Sequence, residues 1–165
     1  ARDATRLHGE KAALEEVLGH PVVGGRQHHL DLDVPGTWWR QRQVGLGYDS
    51  SPGSSTEYGF AHGYDPLRPF DDAFVVFPLT LMEVALPSPG RRPVAAREVV
   101  DELVAEARAN RAVMTVLWHP RNFCERDFPG YADCYRYLVE RALDADAWVG
   151  PPRALYESLD DPSSL

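Results

Sequence analysis

Three short polar clusters stand directly behind apolar or glycine-bearing runs. Arg26-Gln27-His28-His29 follows "VVGG", Tyr48-Asp49-Ser50-Ser51 follows "VGLG", and His119 follows "VMTVLW". Each residue type has a chemistry suited to hydrolysis. Histidine takes up and releases a proton near neutral pH. An arginine fork holds a carboxylate or another oxyanion through two parallel hydrogen bonds. A carboxylate can act as base or ligand. A lone buried imidazole more often just satisfies a hydrogen bond. Several polar groups at the ends of parallel strands, sharing one rim, shift the weight toward a site.

Other chemistries find less support. No G-x-S-x-G elbow accompanies "GYDSSPGSS", so a serine nucleophile has no scaffold. No phosphate-binding glycine motif occurs. His28 and His29 are adjacent, and adjacent side chains diverge in a strand, so a metal shared between them is not expected. Asp71 and Asp72 in "PFDDAF" read as a turn. The two cysteines, Cys124 and Cys134, form neither a C-x-x-C pair nor half of a zinc cluster, and free thiols are expected. Trp38, Trp39 and Trp118 could stack on sugar rings, but a Trp pair on a helix packs inward on at least one side.

The elements that must position these groups alternate. Thr5 to Leu18 has a helical pattern, with Leu14, Val17 and Leu18 on one face and Gly19 as its stop. A short strand at "VVGGRQHHL" leads to a second helix over Pro35 to Val44, with Asp33 as its cap. "GLGYDSS" gives a turn, a brief strand and a loop. Residues Ser51 to Asp72 read as a long ordered loop, because Tyr58, Phe60, Tyr64 and Phe70 can pack where a flexible linker has no such residues. Strands are expected at Ala73 to Phe77 and Leu79 to Leu86. The clearest helix is "PVAAREVVDELVAEARAN", where Val99, Val100, Leu103, Val104 and Ala107 recur at helical spacing. The strand Val113 to Trp118, a helix over Tyr131 to Leu143, a short strand at "AWVG" and a last helix at "PRALYESL" complete the order.

Alternation of this kind implies parallel strands joined by crossover helices. Residues 1–165 are expected to form a single α/β domain. A closed eight-unit barrel needs roughly 250 residues, so the expected form is an incomplete or shortened (β/α) barrel, or an open sheet. The composition is 44% hydrophobic and 25% charged, ordinary for a globular chain. Its net charge of −8 argues against nucleic acid or an anionic membrane as the main partner. No apolar run is long enough to span a bilayer.

In order and spacing these pieces resemble the polysaccharide deacetylases with a NodB-homology domain, of the carbohydrate esterase family 4 type. Arg26 in "VVGGRQHHL" matches the arginine of the family's third motif. Leu117-Trp118-His119 matches its fifth motif, L-x-H. "VGLGYDSSPG" is similar to a GYxYDSS stretch of one branch, and "AWVGPPRALYESL" to the closing strand and helix. The resemblance runs from about Lys11 to Leu159. It implies a distorted barrel of the glycoside hydrolase/deacetylase type.

The activity implied is hydrolysis of an N- or O-acetyl group on a polysaccharide, with a divalent metal, usually zinc, as cofactor. His119 is then the acid that protonates the leaving group, and Arg26 orients a catalytic carboxylate. Leu117 helps shape the acetyl pocket. His29 supplies a backbone N–H where the family has tyrosine, while His28, Trp118 and Asp49 border the substrate. The family's first two motifs, T-F-D-D-G and H-x-x-x-H, are not present, and no two histidines are four apart. The resemblance therefore implies that an upstream segment carries the base and the metal ligands. The alternative is a catalytically inactive, deacetylase-like domain that binds glycan or a protein partner.

Overall fold

The computed structural model describes residues 3–159. Five helices and five short strands occur among them. The chain separates into two compact units. The described residues of the first are 3–52, 66–78 and 151–159; those of the second are 53–65 and 79–150.

In the first unit, helix α1 spans Ala4–Leu18. Asp3 caps it by accepting from the Thr5 and Arg6 N–H groups at 2.9 and 3.3 Å. Gly19 ends it in the left-handed conformation, at φ 71°, where a side chain costs energy. Leu14, Val17 and Leu18 are exposed, and α1 buries no residue. Helix α2 runs Gly36–Gln43 after Pro35. Asp33 is not its side-chain cap. Its carbonyl accepts from the Thr37 N–H and its carboxylate pairs with Arg40.

Strands β1 (Gly24–Gly25), β2 (Tyr48–Asp49) and β3 (Val75–Val76) pair in parallel in that order. Gly24 lies opposite Tyr48 and Asp49 opposite Val76. A Cβ on Gly24 would lie 2.2–2.4 Å from the Tyr48 ring, so the first strand needs glycine there. The core beneath holds Trp38, Phe74 and Val76, with Leu67 and Phe70 against it. Trp38 packs inward while Trp39 stays exposed, as expected for the pair. Asp72 accepts from the Phe74 N–H, which is the turn role expected of the aspartate pair. Helix α5 spans Pro152–Ser158.

In the second unit, β4 (Leu79–Met82) pairs in parallel with β5 (Thr115–Leu117). Helices α3 (Pro93–Asn110) and α4 (Tyr131–Asp144) bury Val99, Val100, Leu103, Val104, Cys134 and Leu138 against Leu81 and Leu86. Each such aliphatic side chain contributes roughly 1.5–3 kcal/mol by leaving water. The strand expected at Leu79 to Leu86 stops at Met82, where Glu83–Ala85 forms a 3-10 turn. No strand forms at "AWVG". Asp146 takes φ 59° and the Ala147 N–H bonds back to Ala142, so the chain closes onto α4 instead of pairing with a strand.

Among the described residues the named strands pair in parallel, with one isolated antiparallel bridge between Leu67 and Val76, and the architecture is mixed α/β, as the alternation implied. Among the described residues no helix is long and apolar enough to cross a membrane.

Candidate functional site

The chemistry-bearing residues fall into two clusters, one in each unit. In the first, β1 and β2 carry Arg26 and Asp49 past or at their C-terminal ends. The Arg26 Nε donates to the Ser50 carbonyl at 2.6 Å, and its Nη2 to Ser50 Oγ at 2.8 Å. Ser50 Oγ in turn donates to the Phe77 carbonyl. Burial pulls the Arg26 guanidinium below its ordinary value, and the charge of Asp49 opposes that shift. Arg26 stays cationic, as guanidinium does in proteins, with its fork anchored on one side by Ser50.

Asp49 is completely buried. Oδ1 accepts from Gln41 Nε2 at 2.7 Å and Ser51 Oγ at 2.6 Å. Oδ2 accepts from Trp38 Nε1 at 3.2 Å and the Ser51 N–H at 3.0 Å. Four internal donors occupy both oxygens, so Asp49 ties α2 to the loop after β2.

His28 and His29 lie in a 3-10 turn (His28–Leu30), with His29 at φ 57° and Leu30 at φ 55°. Their exposed rings are 4.0 Å apart, centroid to centroid. This corrects the expectation that the two side chains diverge: the turn, not a strand, sets their directions.

The first unit also holds a cavity of about 300 Å³ lined by Val23, Gly47, Phe74 and Tyr156, with the Arg42–Asp72 ion pair at its edge. Val23 and Gly47 precede β1 and β2, so it lies at the strand ends opposite Arg26 and Ser50. Ligand chemistry in parallel sheets collects at the C-terminal ends, and the cavity is therefore not the stronger candidate.

The second cluster is built on β4 and β5. Met82 lies opposite Leu117 in the register. Glu83, one residue beyond β4, and His119, two residues beyond β5, thus emerge past the C-terminal ends of neighbouring parallel strands. His119 Nδ1 lies 2.5 Å from Glu83 Oε1, and Asn122 Nδ2 donates to the same oxygen at 2.8 Å. With Glu83 as the carboxylate acceptor of both contacts, the imidazole hydrogen lies on Nδ1. Glu83 is 0% exposed and Asn122 1%, whereas 39% of the His119 side chain is exposed. Among the described residues nothing bonds to His119 Nε2. A half-exposed imidazole, oriented from behind by a buried carboxylate, presents its second nitrogen for proton transfer.

Leu117 and Trp118 are half-buried beside His119. The Trp118 ring meets Tyr135 at 5.4 Å and Tyr131 at 6.2 Å, and packs on the unit's core. The Tyr131 phenol is pushed up by burial first and then by the charge of Glu83. Cys134 is buried, and burial raises its thiol to about 11, which disfavours a thiolate nucleophile. Both cysteines are free.

Glu83 and Asn122 were not among the residues expected from the sequence. The signals were small: a lone acid closing the apolar run "FPLTLM", and an asparagine three residues after His119 behind a proline. The structure gathers Glu83, His119, Asn122, Leu117 and Trp118 in one unit and Arg26, His28, His29 and Asp49 in the other. Among the described residues no group of three or more His, Cys, Asp or Glu is placed to hold a metal ion.

No protein-family model matches the chain. Neither a curated protein nor a solved structure is significantly similar to it.

Proposed function

We propose that this chain is the C-terminal part of a carbohydrate deacetylase with a distorted (β/α) barrel, and that His119 is its general acid. The observation that carries the reading is the His119–Glu83 pair past the ends of β4 and β5, with Nε2 left free of bonds among the described residues. The L-x-H match at Leu117 to His119 supports it. In this reading water adds to the acetyl carbon, and the His119 imidazolium gives its Nε2 proton to the leaving nitrogen as the C–N bond breaks. The imidazole is left neutral with its remaining hydrogen on Nδ1, facing Glu83. The base and any metal ligands come from outside the described residues.

The test is acetate release by the full-length gene product from N-acetylglucosamine oligomers and from O-acetylated xylan oligomers. Activity on one of them is expected. His119→Ala is expected to lower it by roughly 10²–10⁴-fold with an unchanged circular dichroism spectrum. No acetate from either substrate, or wild-type turnover in the variant, rejects the reading.

A second reading, a non-catalytic glycan-binding domain, is favoured by the lack of a gathered ligand set among the described residues. It expects oligosaccharide binding by the full-length product without zinc uptake. Stoichiometric zinc in that product argues against it.

A further inference from the structure

We infer that Asn122 is a positioning residue for His119, keeping Glu83 a carboxylate acceptor so that the imidazole hydrogen stays on Nδ1. Its consequence for catalysis rests on the reading of His119 as the proton donor; its structural part does not.

The inference begins with the charge on Glu83. A fully buried carboxylate is costly unless paired and hydrogen-bonded. No lysine or arginine pairs with Glu83 among the described residues, and its only ion-pair partner there is His119. Its bonds there are two, both at Oε1: one from the imidazole and one from the Asn122 amide at 2.8 Å. When the imidazole is neutral, the pair holds no formal cation, and the amide is the donor that remains whatever the state of His119. Removing one of two donors from a buried carboxylate favours its neutral form. A protonated Glu83 would donate to Nδ1 instead of accepting from it. The imidazole hydrogen would then sit on Nε2, the tautomer opposite to the one left after the proposed proton transfer. Tyr131, on α4, also feels the charge of Glu83.

The backbone is shaped for this contact. Pro120–Phe123 forms a 3-10 turn with Pro120 at its first position. Proline fixes φ for a helical start and has no N–H to satisfy. The Asn122 N–H bonds to the His119 carbonyl at 3.0 Å. That single turn carries the chain back from His119 to Asn122, and both side chains reach one oxygen. Asparagine in a turn is ordinarily exposed, yet Asn122 is 1% exposed.

The experiment is long-range ¹H–¹⁵N NMR of the histidine-labelled full-length gene product, comparing wild type with Asn122→Leu and Asn122→Asp. Wild type is expected to show neutral His119 protonated at Nδ1. Asn122→Leu should move the hydrogen to Nε2 and, with acetate release as readout, lower kcat at least roughly tenfold at little-changed KM. Asn122→Asp is isosteric and covers the case in which the leucine variant does not fold. It should keep the wild-type signature only where its carboxyl is protonated and can donate, and lose it as pH rises. An Nδ1–H signature that persists in Asn122→Leu, or that is independent of pH in Asn122→Asp, overturns the inference. The expected NMR changes in a gene product that releases no acetate would support the role of Asn122 and reject the deacetylase reading alone.

Discussion

Glu83 Oε1 stands 2.5 Å from His119 Nδ1, although the two residues are 36 positions apart in the chain. The contact arises because β4 and β5 run parallel with Met82 opposite Leu117, which brings the residues that follow each strand out on the same edge. Glu83 is fully buried and His119 is not, so one end of the pair is fixed by the fold and the other meets solvent.

Replacing Glu83 with glutamine keeps the shape and removes the charge. Acetate release by the full-length product is expected to fall by roughly 10²-fold, within the range of general acid–base contributions, and the pH–rate profile should change with it. Glu83→Ala should also lower stability, by about 1–3 kcal/mol for the donors left unpaired, as read by urea unfolding. Unchanged turnover and an unchanged pH profile in the glutamine variant would remove Glu83 from the mechanism.

Asp49 belongs to the fold rather than to proton transfer. Its two oxygens take four donors inside the first unit. Asp49→Ala leaves those donors buried and unpaired. The expected loss is about 1–3 kcal/mol for a buried donor left unpaired, seen as a lower denaturation midpoint. A variant as stable as wild type would show that the network carries little energy.

The cysteines should behave differently from each other. Cys124 is exposed and should react with a thiol reagent in the native protein, whereas Cys134 should react only on unfolding. Burial raises the Cys134 thiol from its ordinary 9.0 to about 11. The unfolded thiol therefore ionises first, and the folded state binds more protons between those values. The contribution of Cys134 to stability is thus full below about 9 and is lost as pH rises toward 11. Cys134→Ser should flatten that alkaline decline. Two equally reactive thiols in the native protein would contradict the burial.

Much of the helical framework was legible from local pattern. The 3.6-residue recurrence of Val99, Val100, Leu103 and Val104 placed α3, and Gly19 marked the end of α1. Strand lengths were harder to read. An apolar run such as "LTLMEVAL" does not say where pairing stops, and here it stops at Met82 because Glu83 enters a 3-10 turn. For α1, periodicity identifies an apolar face without saying what covers it, and nothing in the first unit buries that face.

For the site, the chain order alone put His119 at the mouth of an apolar strand and Arg26 behind a glycine pair. These are local facts, carried by residue type and immediate neighbours. Which carboxylate meets His119, why Asp49 is saturated and how the His28 and His29 rings come together could not be read that way. Those depend on strand register, on contacts between distant segments and on left-handed backbone at His29 and Leu30. Hydrogen-bond partners are chosen by folding in three dimensions, and a buried acid carries no mark in sequence of the imidazole it will hold.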